Sequence, residues 1–190
     1  MFFFALSLSM PAGNFLYADP SLYDDNDFNR SVIFLTQHNP EGAVGFIINQ
    51  NSGYQLQTLL PELDLDCPVF YGGPVAKDEI FYLHSNQLKL KGSLPIDDYW
   101  SWGNRLEGLE FFERTPHLNS EDFRIFMGYS GWEAGQLEGE VKLQAWVPIK
   151  HQSTANILKE KPDKLWSNQM RKLGGRYMLW SNLPDNPQYN

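Results

Sequence analysis

Two uninterrupted apolar runs constrain the fold of this chain more than any other feature. Residues 32–35 read VIFL and residues 44–48 read VGFII, with no polar side chain inside either run. A strand with one face in water alternates apolar and polar residues, whereas a strand covered on both faces need not alternate. The two runs therefore predict strands inside a sheet that is packed on both of its faces.

Shorter patterns place the other elements. Strand-like segments occupy residues 14–18, 31–37, 43–49, 68–71, 80–83, 123–127 and 143–147. Helix-like segments occupy residues 55–60, 104–113, 132–141 and 162–173, and Gly174-Gly175 is expected to end the last one. No repeat or linker divides the chain, and strands and helices interleave without a regular alternation. We therefore predict one compact α+β domain over residues 1–190, a mixed and partly barrel-like β-sheet with helices packed around it.

The ends of the chain lead to separate expectations. Residues 1–10 are apolar but lack a basic start and a small-residue cleavage pattern, so we expect a first strand or an ordered arm, not a signal peptide. This run is too short to span a bilayer, and no other segment approaches the necessary length. Residues 184–190 are expected to form a frayed tail.

The charge of the chain disfavours direct nucleic-acid binding. The net charge is -8, whereas phosphate contacts require dense Lys and Arg. Residues 150–176 carry +5, which leaves -13 on the rest, and we interpret this basic segment as a solvated face. No helix-turn-helix pattern is present, so operator binding is not expected. The single cysteine, Cys67, excludes an intrachain disulfide and indicates a small buried side chain in a reducing cytoplasm.

A glycine-flanked serine suggests a catalytic motif that the rest of the chain does not support. Gly128-Tyr129-Ser130 lies between a strand-like and a helix-like segment, which is the setting of a nucleophile elbow. The elbow requires glycine where this chain has Trp132, and the later His151 precedes Asp163, which reverses the usual order. We therefore expect Ser130 to be a small turn residue, and we predict no catalytic residue.

Polar residues beside the strand-like runs predict a small pocket. His38 and His84 each end such a run, where a side chain can reach a cleft. We expect His38 to bond loop backbone and brace the turn over residues 40–45; a general base with Glu138 or Glu140 nearby is the alternative. Gln136 and Glu140 are one helical turn apart, while Glu138 points elsewhere.

The predicted pocket needs donors for its carboxylates but no metal. A buried Glu140 requires a donor, which Arg30 or Tyr129 could supply. Gly72-Gly73 is expected to form a tight turn, because the following Pro74 has no N–H for a phosphate. No His, Cys or carboxylate spacing matches a metal site, so neither a metal nor a cofactor is predicted. The candidate pocket comprises His38, Asn49, Gly72, Gly73, His84, Tyr129, Ser130, Gln136, Glu138 and Glu140.

Taken in their order along the chain, these segments resemble the AlgH/YqgE family of small bacterial proteins. The likeness covers residues 11–175 and is carried by FL at 15–16, FNRSV at 28–32, GAVG at 42–45, GGPV at 72–75, GYSGW at 128–132 and GQLE at 135–138. The family pattern is also matched at His38, Asn49, Leu83-His84 and Trp146. The resemblance implies a bacterial cytoplasmic protein described as a transcriptional regulator, with no established catalytic residues.

Departures from the family pattern narrow the functional prediction. Thr36-Gln37 stands where many members have Cys-Glu, so a redox role at that position does not apply here. Gln50-Asn51 stands where many have Lys-Pro. We predict a non-enzymatic regulatory module that binds an unknown small molecule or protein. The alternatives are an enzyme of unknown reaction around His38, His84 and Glu138 or Glu140, and an interaction module using the aromatic run YWSW at 99–102, which is equally typical of a core.

Overall fold

One long strand organises the sheet of this protein. A computed structural model describes residues 10–115, 121–150, 154–156 and 158–182; the predictions for residues 1–9 and 184–190 lie outside these ranges. Within them the strands are β1 (Phe15–Ala18), β2 (Val32–Asn39), β3 (Gly42–Ile47), β4 (Asn51–Gln55), β5 (Pro68–Tyr71), β6 (Val75–Ser85), β7 (Leu94–Pro95), β8 (Trp100–Gly103), β9 (Phe123–Glu133) and β10 (Trp146–Ile149). The helices are α1 (Leu56–Leu59), α2 (Leu106–Glu113), α3 (Gln136–Lys142), α4 (Pro162–Leu173) and α5 (Gly175–Ser181).

The sheet is mixed because β9 pairs with β5 in parallel and with β3 and β6 antiparallel. The main path runs β10-β1-β2-β3-β9-β6-β8-β7. The first part of β9 pairs with β5 in parallel and with β6 antiparallel, whereas its second part pairs with β3 antiparallel. Gly128, with φ of 69°, lies between the two parts and lets the strand bend. The outcome is a curled half-barrel with helices around it, which confirms the predicted α+β class.

The two apolar runs are buried on both faces, as predicted. Phe34 and Phe46 belong to a core cluster that also contains Trp166 of α4. Ile33 and Ile47 point to the opposite face, into a cluster that contains Leu137 of α3. Successive side chains of a strand point to opposite faces, so one run supplies two cores. A third cluster packs α2 against the start of β9.

Several boundaries differ from the predicted ones. The helix expected from Trp132 begins only at Gln136, because β9 continues through the glycine motif to Glu133. The strand expected at 143–147 is β10, which starts at Trp146. The helix predicted to end at Gly174-Gly175 does end at Leu173, with Gly174 as its C-cap, but a further helix that was not predicted, α5, follows at once. Strands β4, β7 and β8 were not predicted, and buried Trp100 of β8 shows that this aromatic residue is core.

Candidate functional site

His38 links the start of the described chain to α3. Its Nδ1 donates to the backbone carbonyl of Met10 at 2.8 Å, and its Nε2 lies 2.9 Å from Oε1 of Glu138. Both partners are oxygen acceptors, so both bonds form when the ring carries a proton on each nitrogen. The structure thus places His38 beside Glu138, as the alternative prediction required. The backbone partner is Met10, so the prediction that this ring braces the turn at 40–45 was wrong.

Glu138 is held in its ionised form by local hydrogen bonds. Its pKa is lowered, first because its own backbone N–H bonds the carboxylate, and further because His38 does. Partial burial opposes this effect by favouring the neutral acid. About a third of the side chain remains exposed, at 37%. Solvent therefore screens the contact with His38.

Glu140 accepts three hydrogen bonds from side chains around it. The indole nitrogens of Trp132 and Trp146 donate to Oε2 at 2.8 and 2.7 Å, and Gln136 donates to Oε1 at 2.9 Å. The spacing of Gln136 and Glu140 on one helical face is confirmed. The predicted donors for Glu140 were wrong: neither Arg30 nor Tyr129 reaches it, because β9 and β10 bring the two indoles to α3.

Gly72 and Gly73 lie where the chain after β5 crosses β9. A side-chain carbon on Gly72 would collide with the carbonyl oxygen of Gly128, and one on Gly73 would collide with the backbone of Tyr129. The Gly72 carbonyl accepts hydrogen bonds from Ile47 N and Ser130 Oγ, at 2.9 and 3.1 Å. Close backbone packing therefore accounts for this glycine pair.

Ser130 is a strand residue, not a turn residue. It lies inside β9, pairs in register with Gly45 and is fully buried. The strand-to-helix turn of a nucleophile elbow is absent there, since the chain turns only at Gly135. The expectation of a turn residue was wrong because β9 runs further than its apolar part. Its neighbour Tyr129 packs on the core beside Phe81.

Asn49 joins two backbone segments at the edge of an open cavity. Its Oδ1 accepts from Val32 N at 2.7 Å, and its Nδ2 donates to the Arg30 carbonyl at 3.0 Å. The cavity measures about 430 Å³ and lies between this edge and α4. The Arg30 guanidinium lies 5.1 Å from the ring centre of Trp166, on the wall of the same cavity.

His84 is buried away from the other candidates. Its Nδ1 lies 3.0 Å from the carbonyl of Ser85, its Nε2 is buried without a partner among the described residues, and burial lowers its pKa. It pairs in register with Phe123, seven residues before Ser130 on β9. At about 3.3 Å per residue this separates His84 from Ser130 by roughly 23 Å along the strand.

The structure distributes the ten candidate residues over four places. One group surrounds α3, a second lies where the chain crosses β9, Asn49 lines the cavity beside α4, and His84 is enclosed near α2. The α3 group is His38, Gln136, Glu138 and Glu140, and the crossing group is Gly72, Gly73, Tyr129 and Ser130. The residues of the α3 group lie close together, and so do those of the crossing group. The four places do not surround one pocket.

This chain is similar in sequence and in fold to known bacterial proteins. A family profile described as AlgH-like matches residues 15–178. The chain belongs to the AlgH-like family. A UPF0301 protein of Cytophaga hutchinsonii is 36% identical over 180 residues, which cover 94% of this chain and 98% of that protein. A UPF0301 protein of Chlorobium luteolum is 34% identical over 182 residues, covering 95% of each chain.

Two solved structures share the AlgH-like fold. The solution structure of the AlgH protein from Pseudomonas aeruginosa has a TM-score of 0.71 and 30% identity, covering 94% of this chain and 96% of that one. A crystal structure of a Corynebacterium diphtheriae protein has a TM-score of 0.70 at 20% identity, covering 92% and 93% of the two chains. The second likeness concerns the fold alone.

Sequence reasoning missed Arg124, a buried cation of this AlgH-like chain. Only 7% of it is exposed, and burial lowers its pKa to about 10. Nη1 donates to the Ile48 carbonyl at 2.6 Å, Nη2 lies 3.5 Å from the Leu158 carbonyl, and Cζ lies 4.3 Å from the ring centre of Phe70. Among the described residues no carboxylate pairs with it. A lone arginine inside the apolar run at 123–127 was the signal in the sequence.

Arg124 lines a second cavity of about 320 Å³. Its walls come from β5, from the start of β9 and from the segment that leads into α4, and they include Cys67, which is buried as predicted. Burial raises the pKa of the Cys67 thiol to about 12. This cavity differs in character from the one beside Asn49, because most of its wall residues are apolar.

The described residues contain neither a membrane-spanning helix nor a cluster of metal-binding side chains. No helix there has the length and apolarity needed to cross a bilayer. In the same ranges, no three His, Cys, Asp or Glu side chains lie close enough together to hold a metal ion.

Proposed function

We propose that this AlgH-like protein is a non-catalytic regulatory module that binds a small molecule in the cavity beside Arg124. The observation that carries the proposal is a buried guanidinium whose partners are neutral. Buried charges in proteins are normally paired, because desolvation is costly. Backbone carbonyls and the Phe70 ring offset part of this cost, and an anionic ligand in the adjoining cavity would offset more.

The polar side chains elsewhere support binding without catalysis. A general base must reach a substrate proton directly or through one water. Glu140 has three side-chain donors, Asn49 is bonded to two backbone groups, and Ser130 is buried. His84 is buried as well, and its pKa is lowered by burial. These residues stabilise the fold in our interpretation and take no part in a reaction.

The regulatory role is proposed to be indirect and cytoplasmic. An acidic chain with a net charge of -8 is poorly suited to operator DNA, and a lone cysteine suits a reducing compartment. Electrophoretic mobility shifts with promoter fragments at several salt concentrations test this statement. Sequence-specific, salt-dependent binding would overturn it, whereas no shift at physiological salt supports it.

A thermal-shift screen against metabolites and nucleotides tests the ligand site. A ligand present at a hundredfold excess over its Kd stabilises the folded state by about 2.7 kcal/mol. We expect a hit whose shift is lost in Arg124→Gln and retained in Ser167→Ala, a change on the wall of the other cavity. A screen that yields no hit, or hits insensitive to Arg124→Gln, contradicts the proposed site.

The contact of His38 with Glu138 favours the alternative of an enzyme. A carboxylate 2.9 Å from an imidazole can orient a general base, and Glu138 is partly exposed. The alternative gains support if a ligand from the screen is turned over and Glu138→Gln abolishes turnover while leaving the ligand's Kd unchanged. Turnover that survives Glu138→Gln removes this pair from consideration.

A further inference from the structure

The charges around the Arg124 cavity leave one positive charge in excess. Among the residues that the structure describes, its wall contains three cations, Arg124, Lys159 and Lys161, and two carboxylates, Glu121 and Glu160. Lys159 and Glu121 pair with each other at 3.6 Å. The remaining cations exceed the remaining carboxylates by one, and the cation of the set that is buried is Arg124. A single negative charge therefore complements this cavity.

The other described residues of the wall are apolar. They are Cys67, Pro68, Phe70, Phe123, Ile125, Leu158 and Pro162. Such a surface stabilises the apolar part of a ligand by removing it from water. A strongly hydrated anion such as free phosphate would lose its water shell against these side chains without compensation. The lining therefore favours a ligand with one charged end and an apolar body.

The guanidinium can bind a carboxylate with two parallel hydrogen bonds. Arginine carries five N–H donors in a planar fork, and the carbonyls of Ile48 and Leu158 face only two of its nitrogens. The contact at Leu158 is long, at 3.5 Å, so this nitrogen is weakly engaged. Carboxylate geometry matches the fork, and the pairing is strongest where water is excluded.

We propose that the Arg124 cavity binds a small monocarboxylate with an apolar body, a medium-chain or aromatic acid, with its carboxylate on Arg124. This inference rests on the proposed function and names its ligand class. The cavity volume of about 320 Å³ is near the lower end for small-molecule sites, so a compact ligand is expected.

Matched probes on the wild-type protein test the ligand class. Octanoate, octanol, octylamine and inorganic phosphate are titrated by isothermal calorimetry at constant ionic strength. We expect octanoate to bind, and octanol and octylamine to bind roughly tenfold more weakly or worse, because a hydrogen-bonded charge pair is lost. Equal binding of octanol, or preferential binding of phosphate, overturns the inference.

Cys67 locates the binding site without any substitution. It is the chain's only cysteine and lines this cavity, so alkylation by iodoacetamide at an alkaline pH, where part of the thiol is ionised, reports on its occupancy. Saturating octanoate is expected to slow labelling by roughly tenfold. Sucrose, added until the melting temperature rises by the same amount, is the control for general stabilisation. Octanoate protection no greater than that from sucrose would place the ligand elsewhere and overturn the inference.

Two variants and one control test whether positive charge at this cavity holds the ligand. Arg124→Gln should weaken octanoate binding by roughly tenfold or more. Because this residue is buried, Lys161→Gln provides an exposed change at the same cavity, with an expected loss of about threefold. The control Lys172→Gln removes a charge in the last turn of α4, the helix that Lys161 precedes, and should leave Kd unchanged. Equal effects of the two lysine variants would contradict a charge effect specific to this cavity.

The outcomes separate this inference from the proposed function. If octanoate fails but another ligand from the screen protects Cys67, the ligand class is wrong and the binding module stands. If no ligand protects Cys67 and the screen is flat, both proposals are wrong.

Discussion

The indole nitrogens of Trp132 and Trp146 donate to the same oxygen, Oε2 of Glu140, at 2.8 and 2.7 Å. Their rings meet edge to face with centroids 6.0 Å apart. The arrangement ties the end of β9 and the start of β10 to α3 through one carboxylate. Each of these two hydrogen bonds has a charged acceptor and is therefore stronger than a hydrogen bond between neutral groups.

Glu140→Gln is expected to lower the free energy of unfolding by about 2 kcal/mol. The amide oxygen replaces only one carboxylate oxygen, so the donors that face the amide nitrogen, either Gln136 or both indoles, lose their acceptor. Urea denaturation followed by far-UV circular dichroism measures the change. Glu133→Gln makes the same chemical change at the exposed last residue of β9 and should alter stability by less than about 0.5 kcal/mol. A loss for Glu140→Gln no larger than for Glu133→Gln would contradict the proposed tie.

Glu138→Gln tests the contact with His38 through its dependence on pH. The pKa of Glu138 lies below its ordinary value of 4.5, so its contribution is complete above that value and is lost as pH falls through the lower folded value. The variant should be less stable than wild type by about 0.5 kcal/mol at about pH 6, given its exposure. The difference should close at about pH 3. A difference that persists at the acidic pH contradicts the prediction.

Gly72→Ala should cost about 3 kcal/mol, because the new methyl group collides with the carbonyl oxygen of Gly128 and the backbone cannot move aside without breaking the pairing of β9. Gly139→Ala is the matched control within α3. Apart from the chain neighbours and the helix's own backbone, no atom of the described residues lies within 4 Å of a carbon added there, so it should stabilise the protein by about 0.8 kcal/mol through helix propensity. Thermal unfolding should show a lower melting temperature for Gly72→Ala and a higher one for Gly139→Ala than for the wild-type protein.

Asn49→Ala should lower stability by about 2 kcal/mol, because the Val32 N–H and the Arg30 carbonyl both lose a partner. Gln50→Ala, at the adjacent position on the same cavity, removes weaker bonds of 3.1 and 3.4 Å and should cost about 0.5 kcal/mol. Chemical denaturation of both proteins measures the difference. Equal losses would show that Asn49 has no special structural role.

Elements with a purely local signal were predictable. Pro68–Tyr71 and Pro162–Leu173 have the observed bounds, because short apolar or amphipathic patterns bounded by proline define them. Strands β7 and β8 were missed because they have only 2 and 4 residues and are fixed by pairing, β8 with β6 and β7 with β8. The continuation of β9 through Gly128-Tyr129-Ser130 was missed for a related reason: its pairing with β3 overrides the glycine signal for a turn.

The candidate site was predictable only in part. The spacing of Gln136 and Glu140 follows from helical periodicity. A carboxylate near His38 was among the alternatives that the sequence offered. Which donors reach Glu140, and where Asn49 and His84 lie, depend on contacts between residues distant in sequence. Arg124 was visible as a charge within an apolar run, but its neutral surroundings and adjoining cavity were not.

The sequence by itself determined the family, the two-faced central strands and the main helix, because these depend on residue order and on the local period of apolar side chains. The tertiary structure alone decided that one carboxylate holds two indoles, that Ser130 and His84 are enclosed, and that Arg124 borders a cavity without a carboxylate partner among the described residues. Such relationships arise when the sheet curls and joins distant segments, and no local pattern encodes how far it curls.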